Sequence, residues 1–263
     1  MTLRAFQHAL SDLVMSRHFC TAVQADPSEA LAAYDLDARE RERLAAIARQ
    51  PGVRVSAMIH RSFKVGVLAG RLPLTCAVLG PNGIARVIGG YLAEQMPRTM
   101  YFNQEIRRFG ASVLEQIARG ALDYPYLEEV LRLEIALVEL GDAPPLAADA
   151  PDALPEQPGA HPAQLDPQFR VLRFAHDPTA LLPALRAKQV PSALPEGDYW
   201  MLLGCPSGQR MQMSLLDPAL GALLARCDGT ATLAALSEQL DVALDRALAL
   251  VEAGVLRVVM RNT

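Results

Sequence analysis

The 263-residue chain is sparing with the residues that usually announce chemistry: four cysteines, five histidines, one tryptophan and 5% aromatics. Cys20, Cys76, Cys205 and Cys227 lie far apart and form no CxxC pair. His8, His18, His60, His161 and His176 show no HExxH or other ligand spacing, which excludes a recognisable zinc motif. Ser207 and Ser214 lack the GxSxG elbow, and the glycine groups LGPNG and VIGGY fit neither a P-loop nor a GxGxxG fingerprint. His18 and Cys20 are close in sequence, but no orienting partner for a Cys/His nucleophile accompanies them. No apolar run reaches the ~18 residues of a membrane span, and MTLRAFQHALSDLV lacks the basic start and unbroken apolar stretch of an export signal. A cytoplasmic, thiol-reducing location is expected, without membrane contact.

Excess positive charge is also missing. Residues 1–140 carry 16 basic and 15 acidic residues, and 169–263 carry nine of each. Between them, 141–168 has no basic residue, five acids, seven prolines and seven alanines. Phosphate neutralisation needs a basic face, so this balance argues against a nucleic-acid partner. The composition break predicts two folded modules, 1–140 and 169–263, joined by a Pro/Ala/Asp-rich linker over 141–168.

With 51% hydrophobic residues, the chain has ample material for cores. In the first module apolar residues recur three or four apart, predicting an α-helical bundle of six to eight helices. Thr2 can cap a helix carrying Leu3, Phe6, Leu10, Leu13 and Val14. Asp26-Pro27 starts a short helix through Tyr34, and Asp37 with Glu40 starts another through Arg49. After Pro51, Val55, Ile59, Phe63, Val67 and Leu68 are expected to face the core, leaving Arg54, Arg61, Lys64 and Arg71 on a solvated face. LPLTCAVLGPNG predicts a short helix stopped by a tight turn. Three further helices follow over Ile84 to Met96, Asn103 to Arg119 and Tyr124 to Leu140.

In the second module FRVLRF alternates as a strand, and Asp177-Pro178 starts a helix through Lys188. Tyr199 to Cys205 and Gln209 to Leu215 read as a hairpin around Pro206-Ser207-Gly208. Asp217-Pro218 starts a helix ending near Cys227. Thr230 or Thr232 starts the next, Asp241 precedes the last, and Gly254 releases the strand VLRVVM. The whole is an α+β chain, a helical bundle followed by a winged-helix-like module.

A winged helix invites a DNA-binding reading, as a transcriptional regulator, but the would-be recognition helix DVALDRALALVEAG sets Arg246 alone against Asp241, Asp245 and Glu252. Such a module can instead accept an extended peptide along a strand edge. The candidate contacts are Arg210, Met211, Gln212 and Met213 on the hairpin strand, with Leu244, Leu248 and Val251 on the last helix.

Two groups of residues support a family resemblance. RLPLTCAVLGPNGIARVIGGYLAEQMP, FNQEIRRFGASVLEQ and YPYLEEVLRLEIALVE resemble the helical domain of HvfC-type proteins and the related partner subunits MbnC and TglI. YWMLLGCPSGQRMQMSLLDPALGALLARCDGTATLAALSEQL resembles their C-terminal domain, which is similar to the leader-recognition elements of ribosomal peptide biosynthesis. The resemblance implies a non-catalytic subunit that binds a precursor peptide and an MbnB- or TglH-type multinuclear iron enzyme. That partner would modify a peptide cysteine, as in methanobactin-like oxazolone and thioamide formation. No cofactor is then expected in this chain, and the iron belongs to the partner. FCTAVQADPSEALAAYDLDARERERLAAI is separately similar to the small helical subunit of some extradiol dioxygenases.

Overall fold

A computed structural model describes residues 3–94, 102–142, 155–204 and 211–259. Helices and two small antiparallel sheets make the chain α+β. It divides into compact units of Met1–Asp123 and Tyr124–Thr263. The helix over YLEEVLRLEIALVEL, counted from sequence with the N-terminal module, therefore belongs to the second unit. Thr2 lies outside the described residues.

The first unit is helical. Its elements are α1 (Leu3–Met15), α2 (Arg17–Ala25), α3 (Pro27–Ala30), α4 (Ala38–Ala48), α5 (Pro51–Arg71), α6 (Pro73–Glu94) and α7 (Phe102–Ala118). Capping fixes the starts. Asp26 accepts from Ser28 N and Glu29 N, and Asp37 with Glu40 forms a reciprocal capping box at α4, satisfying amides that a helix start leaves without partners. Ala9, Leu13, Val23, Leu31, Leu44 and Ala48 are fully buried between α1 and α5. Gly80 breaks α6 at φ 64°, ψ 175°, a conformation glycine adopts without Cβ strain, and Pro81 opens the second half. The predicted GPNG stop is thus a kink between two helical segments.

α5 departs in part from the expected facing: Leu68 is buried and Arg54, Arg61 and Arg71 are exposed as expected, but four positions are exchanged. Val55, Ile59 and Phe63, read as core residues, are 50%, 62% and 53% exposed, whereas Lys64, read as solvated, is 1% exposed. Val53 and Leu68 are the apolar residues of α5 that are buried. The physical reason is a buried polar partner. Lys64 Nζ stands 3.4 Å from Glu105 Oε2 on α7, and the Tyr91 hydroxyl of α6 donates to Glu105 Oε1 at 2.8 Å. A buried charge persists where it is paired and hydrogen-bonded. Burial, then the bond to Glu105, hold the Tyr91 hydroxyl far above its ordinary value, so it stays a donor.

The second unit opens with α8 (Leu127–Gly141), followed by a 3-10 turn (Pro158–Ala160) and strands β1 (Pro162–Leu165) and β2 (Phe169–His176). Then come α9 (Pro178–Arg186), β3 (Glu196–Gly204), β4 (Gln212–Leu216), α10 (Pro218–Arg226) and β5 (Asp228–Thr232). The unit closes with α11 (Leu233–Gln239), α12 (Leu244–Glu252) and β6 (Leu256–Val258). The expected linker is therefore structured from residue 155: β1, within it, is the central strand of a β5-β1-β6 sheet. The two strands flanking β1 bond it directly, and a loop carboxylate ties its end. Leu165 N donates to Cys227 O, Asp166 N donates to Val255 O, and the buried Asp166 carboxylate meets Arg257. Proline and alanine carry little strand propensity, so a four-residue strand that opens with them, Pro162-Ala163-Gln164-Leu165, leaves no trace in composition.

The second sheet runs β2-β3-β4, all antiparallel, with Val171 opposite Leu202 and Leu202 opposite Ser214. α10 covers the face that carries Val171, Leu202 and Trp200. Side chains alternate across a sheet, so Met201 and Leu203 point the other way. They are buried on the side where Arg170 bonds Glu139 of α8. The YPYLEE segment locks α8 to β2. Tyr126, in the left-handed region at φ 64°, stacks edge-on to His176, whose Nδ1 lies 2.6 Å from Glu129 Oε1.

Candidate functional site

β4 lies at the edge of its sheet. It pairs with β3 through Leu203 opposite Met213 and Met201 opposite Leu215. Met213 and Leu215 thus continue outward the apolar row formed by buried Leu203 and Met201, and they end it in solvent at 41% and 51% exposure. Ser214 and Leu216 point to the opposite face, where Leu216 packs against the core cluster of α10, α11 and α12. An added strand along β4 would therefore meet an apolar row, Met213 and Leu215, on one side of the sheet, and on the other the polar Gln212 and Ser214 followed by Leu216.

The end of β4 is tied to α12. Asp217, the residue after the strand, caps α10 by accepting from Leu220 N at 3.0 Å, and its other oxygen takes Arg246 Nη2 of α12 at 2.5 Å. The Leu220 amide first, and Arg246 next, hold the Asp217 carboxyl below its ordinary range. The one basic residue of α12 is thus engaged within the unit.

The candidate contacts fall into three kinds of position. Met211 precedes β4 and is half-buried, while Gln212 and Met213 are exposed strand residues. Leu244 is 38% exposed at the start of α12, beside Gly159 of the 3-10 turn. Leu248 is partly buried against the same cluster as Leu216, and Val251, at 7% exposure, is part of that cluster. Arg210 and the Pro206-Ser207-Gly208 turn lie outside the described residues. The sequence reading missed Leu215, the most exposed apolar residue of the edge, and the Asp217–Arg246 clip. The Met213-x-Leu215 alternation was the available signal for the first. The second joins positions 29 residues apart and leaves no local pattern.

Elsewhere, Cys20 is buried with its thiol directed at Ala48 O, 3.6 Å away. Burial raises its pKa, partly opposed by Arg54. Burial, with Asp228 alongside, pushes the Cys227 thiol up to about 12. Both are held as thiols rather than the nucleophilic thiolate. Among the described residues no group of three or more His, Cys, Asp or Glu could hold a metal ion, and no helix is long and apolar enough to cross a membrane. Compared with protein-family models and with curated proteins, the chain matches none.

Proposed function

We propose that the chain is a non-catalytic subunit that holds a precursor peptide for a separate iron-dependent enzyme. The second unit acts as a winged-helix-like recognition module, formed by α10, β5, α11, α12 and β6 behind the β2-β3-β4 sheet. The leader of the peptide adds as a fourth strand on β4. Its alternate side chains lie against Met213 and Leu215 on one side and toward the Leu244 and Leu248 surface of α12 on the other. Holding the leader raises the local concentration of the core cysteine at the partner's iron site, where that cysteine is modified. The helical unit supplies the dock for that enzyme, and the location is cytoplasmic.

The observation that supports this reading is the edge position of β4 together with the solvent-facing apolar pair Met213 and Leu215. Edge strands are commonly blunted with charge, and this one has none from Gln212 to Leu216. The DNA-binding alternative is disfavoured by the engagement of Arg246 with Asp217. The test is co-expression of the full chain with its genomic neighbours, followed by pull-down and fluorescence polarisation with the labelled precursor peptide. Capture of an iron enzyme and a short peptide is expected. Leu215→Lys should weaken peptide binding by about tenfold while leaving enzyme capture intact. Peptide binding that is unchanged in this variant would overturn the strand-addition reading.

A further inference from the structure

The helical unit contains a cleft of about 800 Å³ between α2, α5 and the C-terminal part of α6. Small-molecule sites occupy ~300–1,000 Å³, are mostly apolar and carry a few convergent polar groups. This one has that division. Val53, Met58 and Leu92 contribute apolar wall, and the charged side chains that line it among the described residues are all cations: Arg17, Arg54, Arg61 and Lys64.

The cations differ in how they are held. Lys64 is committed to Glu105 behind the wall, and Arg61 donates to Gly89 O at 3.2 Å. Arg17 and Arg54 are exposed at the cleft, on α2 and α5. Deeper in, His60 presents an Nε2 that is buried and has no hydrogen-bond partner. A polar nitrogen withdrawn from water without a partner is an unfavourable arrangement unless something else satisfies it. Here it lines a cleft whose other charged lining groups are positive.

We propose that this cleft binds a small organic anion: a carboxylate or phosphate head held by Arg17, Arg54 and a hydrogen bond from His60 Nε2, with an apolar body against Val53, Met58 and Leu92. The site is independent of the peptide edge in the second unit. It also carries a proton linkage. Burial first, and Lys64 next, hold His60 below its ordinary value, while Glu105 acts the other way. The titratable and charged groups that line the cleft with it are Arg54, Arg61 and Lys64 on its own helix and Arg17, His18 and Cys20 on α2, and Glu105 on α7, bonded by Tyr91 of α6, stands against Lys64. An anion at Nε2 favours the imidazolium, so binding takes up a proton and tightens as pH falls below neutrality.

Calorimetric titration of the full chain with 1-naphthyl phosphate and 1-naphthoate tests this, with 1-naphthylmethylamine and inorganic phosphate as comparisons. Saturable binding of at least one aryl anion is expected, at least tenfold tighter than of the amine or of inorganic phosphate; the preferred aryl anion identifies the headgroup. Each exposed guanidinium removed should weaken binding about fivefold, so Arg17→Gln with Arg54→Gln should weaken it about 25-fold without lowering the melting temperature. His60→Gln keeps a donor but cannot titrate, and should bind with a flatter pH profile. Absence of saturable binding, equal affinity for the amine or for inorganic phosphate, or indifference to the double arginine variant would overturn the proposal.

Discussion

Replacing Gly221 by alanine puts the packing between α10 and its sheet to a quantitative test. A Cβ built at this position would lie 2.2 Å from Trp200 Cγ, 2.4 Å from Trp200 Cβ and 2.5 Å from Trp200 Cδ2. Carbon atoms rest at about 3.5–4.0 Å, so each contact falls short by about 1 Å or more. A rotamer change cannot relieve the contact with Trp200 Cβ, because that atom is fixed by the backbone of β3. The helix has to retreat instead, loosening Leu223 and Leu224 from the core cluster. Overpacking of this kind costs about 1–3 kcal/mol, and an anchored clash belongs at the upper end. Alanine returns about 1 kcal/mol as the better helix former. The net expectation is a loss of about 2 kcal/mol, or about 6 °C in melting temperature for a unit of this size. Trp200 is the chain's one tryptophan and sits at the contact, so urea unfolding followed by its fluorescence reads the relevant unit directly. A midpoint that stays put or rises, at unchanged m-value, would show that helix propensity outweighs the contact and would refute the reasoning.

Three further outcomes follow from the same geometry. Glu105→Ala removes the carboxylate that faces the buried Lys64 ammonium and accepts from Tyr91, and should destabilise the helical unit by about 3 kcal/mol in thermal unfolding; a loss under about 1 kcal/mol would refute the role given to Glu105. Cys227 has a folded thiol pKa raised to about 12 from an ordinary value near 9, so its contribution is intact below pH 9 and is lost as pH rises from there toward 12. Unfolding midpoints should therefore fall over that window, and Cys227→Ala should reduce the fall. Asp217→Ala removes a helix cap together with the Arg246 contact, and should cost about 1–2 kcal/mol in urea unfolding. Because the Asp217 carboxyl is held below its ordinary range, the same contribution in the parent protein should disappear as pH falls through that lowered value.

Local chemistry was legible in the sequence, and tertiary pairing was not. Asp26, Asp37, Asp177 and Asp217 each accept a backbone amide at the helix start they signalled, because capping is settled within four residues. The hairpin strands lie near the positions that their β-type runs and the Pro206-Ser207-Gly208 turn signal indicate, and the partner strand over FRVLRF lies where its alternation puts it. α5 was misread because its periodicity offers two faces. The choice between them was made by Glu105, 41 residues away, which draws Lys64 inward and leaves Val55, Ile59 and Phe63 in solvent. β1 escaped notice for a related reason. A strand of Pro162, Ala163, Gln164 and Leu165 exists because β5 and β6 flank it, and those partners lie 63 or more residues further on.

The same distinction bears on the candidate site. Met213 and Leu215 share the facing of Leu203 and Met201, yet the outer pair is exposed while the inner pair is at or below 5%. The apolar layer on that side of the sheet is therefore one strand wider than the cover it receives from the described residues. On the opposite side, Arg246 in the first turn of α12 bonds Asp217 at the end of β4, and Leu216 and Leu248 pack against the same core cluster. A strand added at the edge would extend the apolar layer on the Met213 side by one row, burying Met213 and Leu215 at roughly 25 cal/mol per Å² removed from water. Backbone pairing would supply affinity without regard to sequence, and the Met213–Leu215 row would select the side chains on its side. An apolar residue at every second position of the ligand is then required on the Met213 side. A peptide with charges at those positions should bind no better than one of scrambled sequence, and equal binding of charged and apolar versions would show that the edge is not the contact surface.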